Sequence, residues 1–282
     1  MKRPALLFFV AVMVVGGSAC ERATLDGFFY DPLKAPAGGY QLSTAVIPAY
    51  ETLTVQTPDG ETLDGAFIPS SGRRPDITLL YFHGQSNNLG TTWPRLELLY
   101  PLGYNIAMVD PRGYGRSTGT PSEAGLQIDE RAIRAALVAR PDVDPQHLVI
   151  YGRSLGSGLA IDLASADPPA VLITESAFAS IQDFVSDATY VDLPASYVSD
   201  SAWDNIAKIA TIPSPYLLFH GTADLYVDPK YSRQLGAAHE AENAGATLLI
   251  MVPRADHTNV PDVMGPDAYR GAIQQFVEAA IP

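Results

Sequence analysis

The sequence predicts an α/β fold with a mostly parallel central sheet and helices on both of its faces. Short runs that are almost wholly apolar alternate with segments of helical periodicity along most of the chain. Such runs are typical of strands that are buried on both faces, as in parallel sheets. The 282 residues, of which 47% are hydrophobic, are enough for one domain with a substantial core.

An antiparallel hairpin is the first predicted element. Residues 51–57 and 61–68 flank Pro58-Asp59-Gly60, and Asp-Gly between alternating runs favours a tight turn. Further strands are predicted at residues 77–82, 105–109, 148–151, 171–174, 216–219 and 246–252. Helical patterns are clearest at residues 125–140, 229–244 and 269–280. Ligands of parallel sheets bind beyond the carboxyl ends of the strands, so functional side chains are expected there.

Residues 1–19 have the pattern of a secretory signal, with Lys2 and Arg3 before an apolar run and small residues before Cys20. The end of this segment resembles a bacterial lipoprotein signal, although Gly17 stands where that pattern usually has a leucine. The resemblance implies that Cys20 carries a lipid anchor and that the protein is exported and held on the non-cytoplasmic side of a membrane. The alternative is ordinary cleavage, which leaves a free thiol.

Residues 20–45 are predicted to be a tether and residues 46–282 to be the folded domain. A small cap is expected at residues 176–208, where aromatic side chains would either cover an apolar substrate or pack on the sheet. The net charge of −13 makes nucleic acid an unsuitable partner. The histidines and the single cysteine are not spaced as metal ligands, and no glycine-rich phosphate loop is visible, so neither a metal nor a cofactor is expected. We expect a monomer.

The most informative motif is Gly152-Arg153-Ser154-Leu155-Gly156, which directly follows the apolar run at residues 148–151. A G-x-S-x-G motif between a strand and a helix is typical of a nucleophile elbow, in which the serine has a strained backbone. The adjacent helix N-terminus favours the negative charge that develops when a serine attacks a carbonyl group. We therefore predict that Ser154 is a nucleophile.

A serine nucleophile needs a base, and the base needs a group that orients it. Of the five histidines, only His257 lies in a loop after the last predicted strand and downstream of the other candidates. Asp224 lies just past the strand at residues 216–219 and is the preferred acid. Asp228 and Glu175 are the competing carboxylates.

Two backbone N–H groups are expected to bind the substrate oxygen that becomes negative during attack. One is the N–H of Leu155, directly after the nucleophile. The other is the N–H of Gln85, in the loop after the first parallel strand, where Gly84 allows the backbone to come close. Asp110 and Arg112 are charged residues at another strand end. A structural role, as an ion pair and turn beside the pocket, is predicted for them.

Together these motifs resemble the α/β-hydrolase fold, and within it the subgroup similar to acylglycerol lipases and palmitoyl-protein thioesterases. The resemblance covers roughly residues 50–280, and its motifs stand in the family's order at residues 83–85, 110–117, 152–156, 220–224 and 257. It implies the nucleophile, acid and base roles for Ser154, Asp224 and His257, and the oxyanion roles for Gln85 and Leu155. Residues 85–87 are Gln-Ser-Asn where that subgroup more often has Asn-Ala-Gly, which leaves the substrate preference open.

The expected function is that of an exported serine hydrolase that cleaves carboxylic esters or thioesters of a small or acyl-bearing substrate. A peptidase or amidase on the same three residues is an open alternative, because the pocket rather than the triad distinguishes these substrates. A non-catalytic binding lipoprotein that has kept the fold is the alternative from a different class.

Overall fold

The computed structural model describes residues 29–70, 72–183, 202–242 and 245–282. The strands in this part of the chain are β1 (Glu51–Gln56), β2 (Thr62–Ile68), β3 (Thr78–Phe82), β4 (Asn105–Asp110), β5 (Leu148–Arg153), β6 (Val171–Glu175), β7 (Tyr216–Gly221) and β8 (Thr247–Val252). They form one sheet in the order β1-β2-β4-β3-β5-β6-β7-β8. β2 is antiparallel to both β1 and β4, and all other neighbours are parallel. The predicted mostly parallel sheet is therefore confirmed.

Helices connect the parallel strands. Among the described residues they are α1 (Leu89–Leu99), α2 (Glu123–Val138), α3 (Leu155–Ala166), α4 (Asn205–Ile209), α5 (Lys230–Glu242), α6 (Val260–Met264) and α7 (Pro266–Ala280). The sequence did not predict α1, because Pro94 and two threonines weaken its helical pattern. A capping box stabilises the start of this helix: Asn88 and Thr91 each accept the backbone N–H of the other through their side chains.

Apolar side chains pack on both faces of the sheet. Alternate residues of β5 point to opposite sides, so Ile150 belongs to one core and Tyr151 to the other. The first core contains side chains from α2, α3 and α5, and the second contains side chains from α1 and α7. The prediction of helices on both faces is confirmed. The central strands are buried by this packing, and their carboxyl ends remain the place for a site.

The structure corrects the tether predicted at residues 20–45 over the part that it describes, residues 29–45. From residue 29 onward the chain packs on the domain, with Tyr30 fully buried in the first core. The hydroxyl of Tyr114 donates a hydrogen bond to the carbonyl of Tyr30, and the N–H of Ala35 donates to the carbonyl of Gly115 at 3.0 Å. The physical reason is that an aromatic side chain in this segment gains more from burial in the core than from exposure to water.

The predicted signal at residues 1–19 and the anchor position Cys20 lie outside the described residues. In the part of the chain that the structure describes, no helix has both the length and the apolar character that a bilayer crossing requires. The predicted cap at residues 176–208 is described only at its two ends. Phe178 and Trp203, at these ends, are buried in the first core, so these two aromatic side chains pack within the domain, the second of the two arrangements considered from the sequence.

Candidate active site

Ser154 lies at the sharp junction between β5 and α3. Its φ of 51° and ψ of −120° place a non-glycine residue in a conformation that is strained for side chains. Two contacts hold it there: its N–H donates to the carbonyl of Glu175 at 2.9 Å, and its carbonyl accepts the hydroxyl of Ser157 at 2.6 Å. The backbone of the predicted elbow is therefore present, with the serine at its tip.

The two glycines of the motif are required by close packing. A Cβ added at Gly156 would lie 2.2 Å from the carbonyl oxygen of Phe82 in β3, and one added at Gly152 would lie 2.2 Å from the carbonyl oxygen of Gly156. Distances this short are incompatible with a side chain. The glycines therefore let α3 start directly against the two central strands, which positions Ser154 above the carboxyl end of the sheet.

His257 connects Ser154 to Asp224 through hydrogen bonds. Its Nδ1 lies 2.8 Å from Oδ2 of Asp224, and its Nε2 lies 2.9 Å from Oγ of Ser154. An ionised carboxylate can only accept, so Nδ1 carries the proton and Nε2 is left to accept the serine hydroxyl. The structure thus brings together the three residues that the sequence singled out, although Asp224 is 33 and Ser154 is 103 residues away from His257 along the chain.

Asp224 is buried and fully engaged. Its Oδ1 accepts the N–H groups of Tyr226 and Val227, both at 2.9 Å. Burial alone would raise the pKa of Asp224, but hydrogen bonds from His220 and His257 outweigh that effect and hold the pKa well below its usual value. Asp224 therefore remains negatively charged, which is the state that orients and stabilises a protonated imidazole.

His220 is a second histidine on the same carboxylate. Its Nε2 lies 3.2 Å from Oδ2 of Asp224 and 3.0 Å from the carbonyl of Val227. Both are acceptors, so Nε2 carries a proton, and Nδ1 lies 2.7 Å from the hydroxyl of Ser232. The sequence considered this histidine only as a rejected base. Its position at the end of β7, four residues before Asp224, is the signal that could have indicated this role.

The two competing carboxylates have other partners. Asp228 accepts the N–H of Lys230 at 2.8 Å on the exposed surface, at the start of α5. Glu175 is fully buried and is bound by the guanidinium of Arg95 at 2.8 and 3.2 Å. Neither carboxylate is hydrogen bonded to His257, so the geometry favours Asp224 as its partner.

The groups predicted for the oxyanion site lie beside the serine. Leu155 is the first residue of α3, and the first N–H groups of a helix have no partner within the helix. Gln85 and Gly84 line the same cavity as Ser154. A Cβ on Gly84 would lie 3.3 Å from the Cβ of Ser154, so this glycine lets the Gln85 loop approach the nucleophile closely.

Asp110 and Arg112 do not form an ion pair with each other, so this part of their predicted structural role is wrong. Oδ1 of Asp110 lies 3.3 Å from Nε2 of His83, and its Oδ2 accepts the hydroxyl of Tyr40 at 2.5 Å. Arg112 instead binds Asp129, with the Nη2 to Oδ1 distance at 2.8 Å. The structural role predicted for both residues fits these buried contacts, because neither lines the cavity at Ser154.

A cavity of about 610 Å³ opens at Ser154. Its lining residues are Tyr81, His83, Gly84, Gln85, Ser86, Asn87, Thr91, Thr92, Pro94, Arg95, Arg153, Ser154, Tyr226, Val227, His257 and Thr258. The sequence did not indicate that Arg95, Arg153 and Tyr226 line this cavity, although Arg153 stands inside the G-x-S-x-G motif. Tyr226 packs its ring 5.6 Å from that of His257 and is 76% exposed, so it forms part of the rim.

In the described part of the chain, no group of three or more histidine, cysteine or acidic side chains could hold a metal ion.

Comparisons with known proteins agree with this architecture. The sequence profile of the prolyl oligopeptidase family matches residues 92–278. The uncharacterized protein YfhR of Escherichia coli K12 is 30% identical over 286 residues, covering 99% of this chain and 95% of that protein. The alpha/beta hydrolase domain-containing protein WAV2 of Arabidopsis thaliana is 30% identical over 301 residues, with coverages of 99% and 95%. The solved structure of the Pyrococcus furiosus esterase Pf2001 superposes with a TM-score of 0.71 at 19% identity, covering 90% of this chain and 99% of that one.

Proposed function

We propose that this chain, which belongs to the prolyl oligopeptidase family and is a hydrolase of the α/β-hydrolase fold, is a serine hydrolase. It cleaves carboxylic esters or thioesters through an acyl-enzyme on Ser154. The observation that carries this proposal is the continuous line of hydrogen bonds from Ser154 through His257 to Asp224. A serine hydroxyl is a weak nucleophile alone, and this arrangement supplies the base and the orienting carboxylate that it needs.

The proposed reaction begins when Oγ of Ser154 attacks the substrate carbonyl carbon and passes its proton to Nε2 of His257. The protonated imidazole is then stabilised by the charged Asp224, whose depressed pKa keeps it ionised. His257 next donates the proton to the departing alcohol or thiol, which leaves an acyl group on Ser154. Water, activated by the same histidine, releases the acid and restores the serine.

The negative oxygen of the tetrahedral intermediate is proposed to lie between the N–H groups of Leu155 and Gln85. Leu155 is the first residue of α3, and the N–H groups in the first turn of a helix point toward its N-terminus, where the helix dipole also favours negative charge. The close approach of Gly84 to Ser154 supports the second donor. Such preorganised donors stabilise the transition state without a cost of reorganisation.

Export is a separate part of the proposal. It is supported by the positive, apolar and small-residue segments before Cys20. A lipid on Cys20 would hold the hydrolase on the non-cytoplasmic side of a membrane. The intact mass of the mature protein tests this: a mature chain that begins at Cys20 and is heavier by a lipid supports anchoring, whereas an unmodified N-terminal Cys20 contradicts it.

Peptide or amide hydrolysis is the second candidate, favoured by the name of the matched family. The same three residues serve both leaving groups, so a substrate panel is needed to choose. The panel pairs 4-nitrophenyl esters of short to long acyl chains with aminoacyl 4-nitroanilides, each measured on the wild type and on Ser154→Ala. Ser154-dependent turnover that is dominant on the esters supports the proposal, and dominant turnover of the anilides reverses it.

A further inference from the structure

Two arginines form part of the wall of the cavity at Ser154, and none of the described residues that line that cavity is acidic. The side chains of Arg95 and Arg153 are each 14% exposed, so both guanidinium groups are largely removed from water yet reachable from the cavity. Arg95 projects from α1, and Arg153 directly precedes the nucleophile. Apart from two tyrosines, the ionisable side chains among the described lining residues are therefore these two cations and the two histidines, His83 and His257.

The two arginines share one buried counter-ion. Glu175 binds Arg95 through both carboxylate oxygens, and Nε of Arg153 lies 3.4 Å from the same carboxylate. Burial would raise the pKa of Glu175, but the two guanidinium groups outweigh it and keep the carboxyl ionised. The hydroxyls of Tyr151 and Tyr269 also donate to Glu175, and burial raises the pKa of both tyrosines, so they remain neutral.

This cluster consequently has two positive charges and one negative charge. Three nearby carboxylates of the described residues do not line the cavity and are bound to residues that do: Asp224 to His257, Asp110 to His83, and Asp31 to the hydroxyl of Ser86. The surplus positive charge thus stands at the cavity wall. This is unexpected in a chain of net charge −13, whose long-range field attracts cations.

Arg153 also has unused donors. Its Nη2 donates to the carbonyl of His257 at 3.0 Å, which places the guanidinium between the elbow and the base. Its Nε is buried and faces Glu175 at 3.4 Å without a hydrogen bond. Its Nη1 lies 3.6 Å from the position that a Cβ on Gly84 would occupy, so it stands beside the loop that borders Ser154. Nη1 is therefore the donor of Arg153 that remains for an acceptor in the cavity, and a guanidinium largely removed from water is stabilised by such an acceptor.

We infer that the cavity at Ser154 contains a subsite for a carboxylate, formed by Arg153 with Arg95 behind it, and that the preferred esters carry a negative charge near the scissile bond. The inference deepens the proposed function and rests on it, since it names the substrate class of the same serine. A hydrogen bond from a guanidinium to a carboxylate is charge-assisted and stronger than one between neutral groups. In a site sheltered from water, such a contact discriminates strongly against a neutral analogue.

The carboxylate could belong to the acyl part or to the leaving group, and two matched pairs of substrates distinguish them. The acyl pair is mono-4-nitrophenyl glutarate against 4-nitrophenyl valerate, and the leaving-group pair is 4-carboxyphenyl butyrate against 4-carbamoylphenyl butyrate. For each pair, the ratio of kcat/KM is measured in the wild type, Arg153→Gln and Arg153→Lys. Because each ratio compares two substrates in one variant, a general loss of triad alignment cancels.

The expected wild-type ratio is about tenfold or more in favour of the anionic substrate in one pair, which is the size of effect that one charge-assisted hydrogen bond produces. Arg153→Gln should bring this ratio close to one, and Arg153→Lys, which keeps the charge, should retain a preference. A wild-type ratio near one or below one in both pairs overturns the inference. So does a preference that Arg153→Gln leaves unchanged.

A binding measurement separates failure of the subsite from failure of the hydrolase. Ser154→Ala, with and without Arg153→Gln, is titrated calorimetrically with monomethyl glutarate and with its neutral amide. Binding of the anion alone, lost with Arg153→Gln, supports the subsite even if no ester is hydrolysed by the wild type. Hydrolysis of esters without this selective binding leaves the proposed function standing and removes the carboxylate subsite.

Discussion

Oδ2 of Asp224 accepts a hydrogen bond from Nδ1 of His257 at 2.8 Å, with the carboxylate buried and the imidazole facing Ser154. This contact selects one tautomer of the imidazole and leaves Nε2 as the acceptor for the serine hydroxyl. The contact also distinguishes Asp224 from Asp228, the competing carboxylate four residues further along the chain. Asp228 instead accepts the N–H of Lys230 at the start of α5. We therefore predict that Asp224, and not Asp228, is the acid of the triad.

Substitutions in the triad should have unequal effects on ester hydrolysis. Ser154→Ala and His257→Ala should each lower kcat/KM by about 10⁴-fold or more, whereas Asp224→Asn should leave more residual activity, because it removes only the group that orients the base. Asp228→Asn is the matched control and should remain near the wild type. Steady-state kinetics on a 4-nitrophenyl ester measure all four. A dead Asp228→Asn beside an active Asp224→Asn would show that the wrong carboxylate has been chosen.

Glu175 should contribute to stability in a pH-dependent way. Glu175→Gln removes the carboxylate that pairs with Arg95 and Arg153, and breaking a buried ion pair on one side costs about 3–5 kcal/mol. The pKa of Glu175 in the folded protein lies below its ordinary value of 4.5, so its contribution is fully present above that pH and is lost as the pH falls below it.

Urea unfolding of the wild type and of Glu175→Gln, at neutral pH and at successively lower pH, measures this contribution. The difference in unfolding free energy should be largest at neutral pH and should narrow as the pH falls below about 4.5, where the unfolded-state carboxyl takes up its proton. Equal stability of the two proteins at neutral pH would show that the Glu175 cluster is not the buried ion pair described here.

Gly156 should not tolerate a side chain. A Cβ there would stand 2.2 Å from the carbonyl oxygen of Phe82 and 2.6 Å from that of His83, so Gly156→Ala should force α3 away from β3. We expect a loss of about 3 kcal/mol in unfolding free energy, at the upper end for overpacking, together with loss of activity.

Gly271 in α7 is the control for that substitution, because nothing lies within 4 Å of an added Cβ. Gly271→Ala should leave activity unchanged and should stabilise the helix by up to about 1 kcal/mol, since alanine is the better helix former. Thermal or urea unfolding compares the two variants. If Gly156→Ala were as stable as Gly271→Ala, the close packing at the elbow would not be essential.

The sequence predicted those parts of the site that depend on local pattern. The elbow at Ser154, the strand before it, and the loop positions of Asp224 and His257 follow from residue order along successive strands and turns. The helix α1 was missed because Pro94 and two threonines hide its periodicity, while its stabilising cap involves side chains that a pattern does not reveal.

Contacts between distant segments could not be predicted in the same way. Arg95 and Glu175 are 80 residues apart in sequence, and Glu175 considered alone is only another carboxylate at a strand end. Its burial under two arginines arises from the parallel alignment of β5 and β6 and the position of α1. Tyr30 was assigned to a tether for a similar reason, because its partners Tyr114 and Trp203 lie far along the chain.

The most direct measurement is active-site labelling of the purified protein with a fluorophosphonate probe, followed by peptide mass spectrometry. The wild type should be labelled at Ser154 alone, Ser154→Ala should not be labelled, and Ser157→Ala, the neighbouring serine whose hydroxyl binds the carbonyl of Ser154, should still react. An excess of an ester that the protein hydrolyses, added together with the probe, should slow the labelling of the wild type. Absence of label on a well-folded wild type, or label that persists in Ser154→Ala, would contradict nucleophilic catalysis by Ser154.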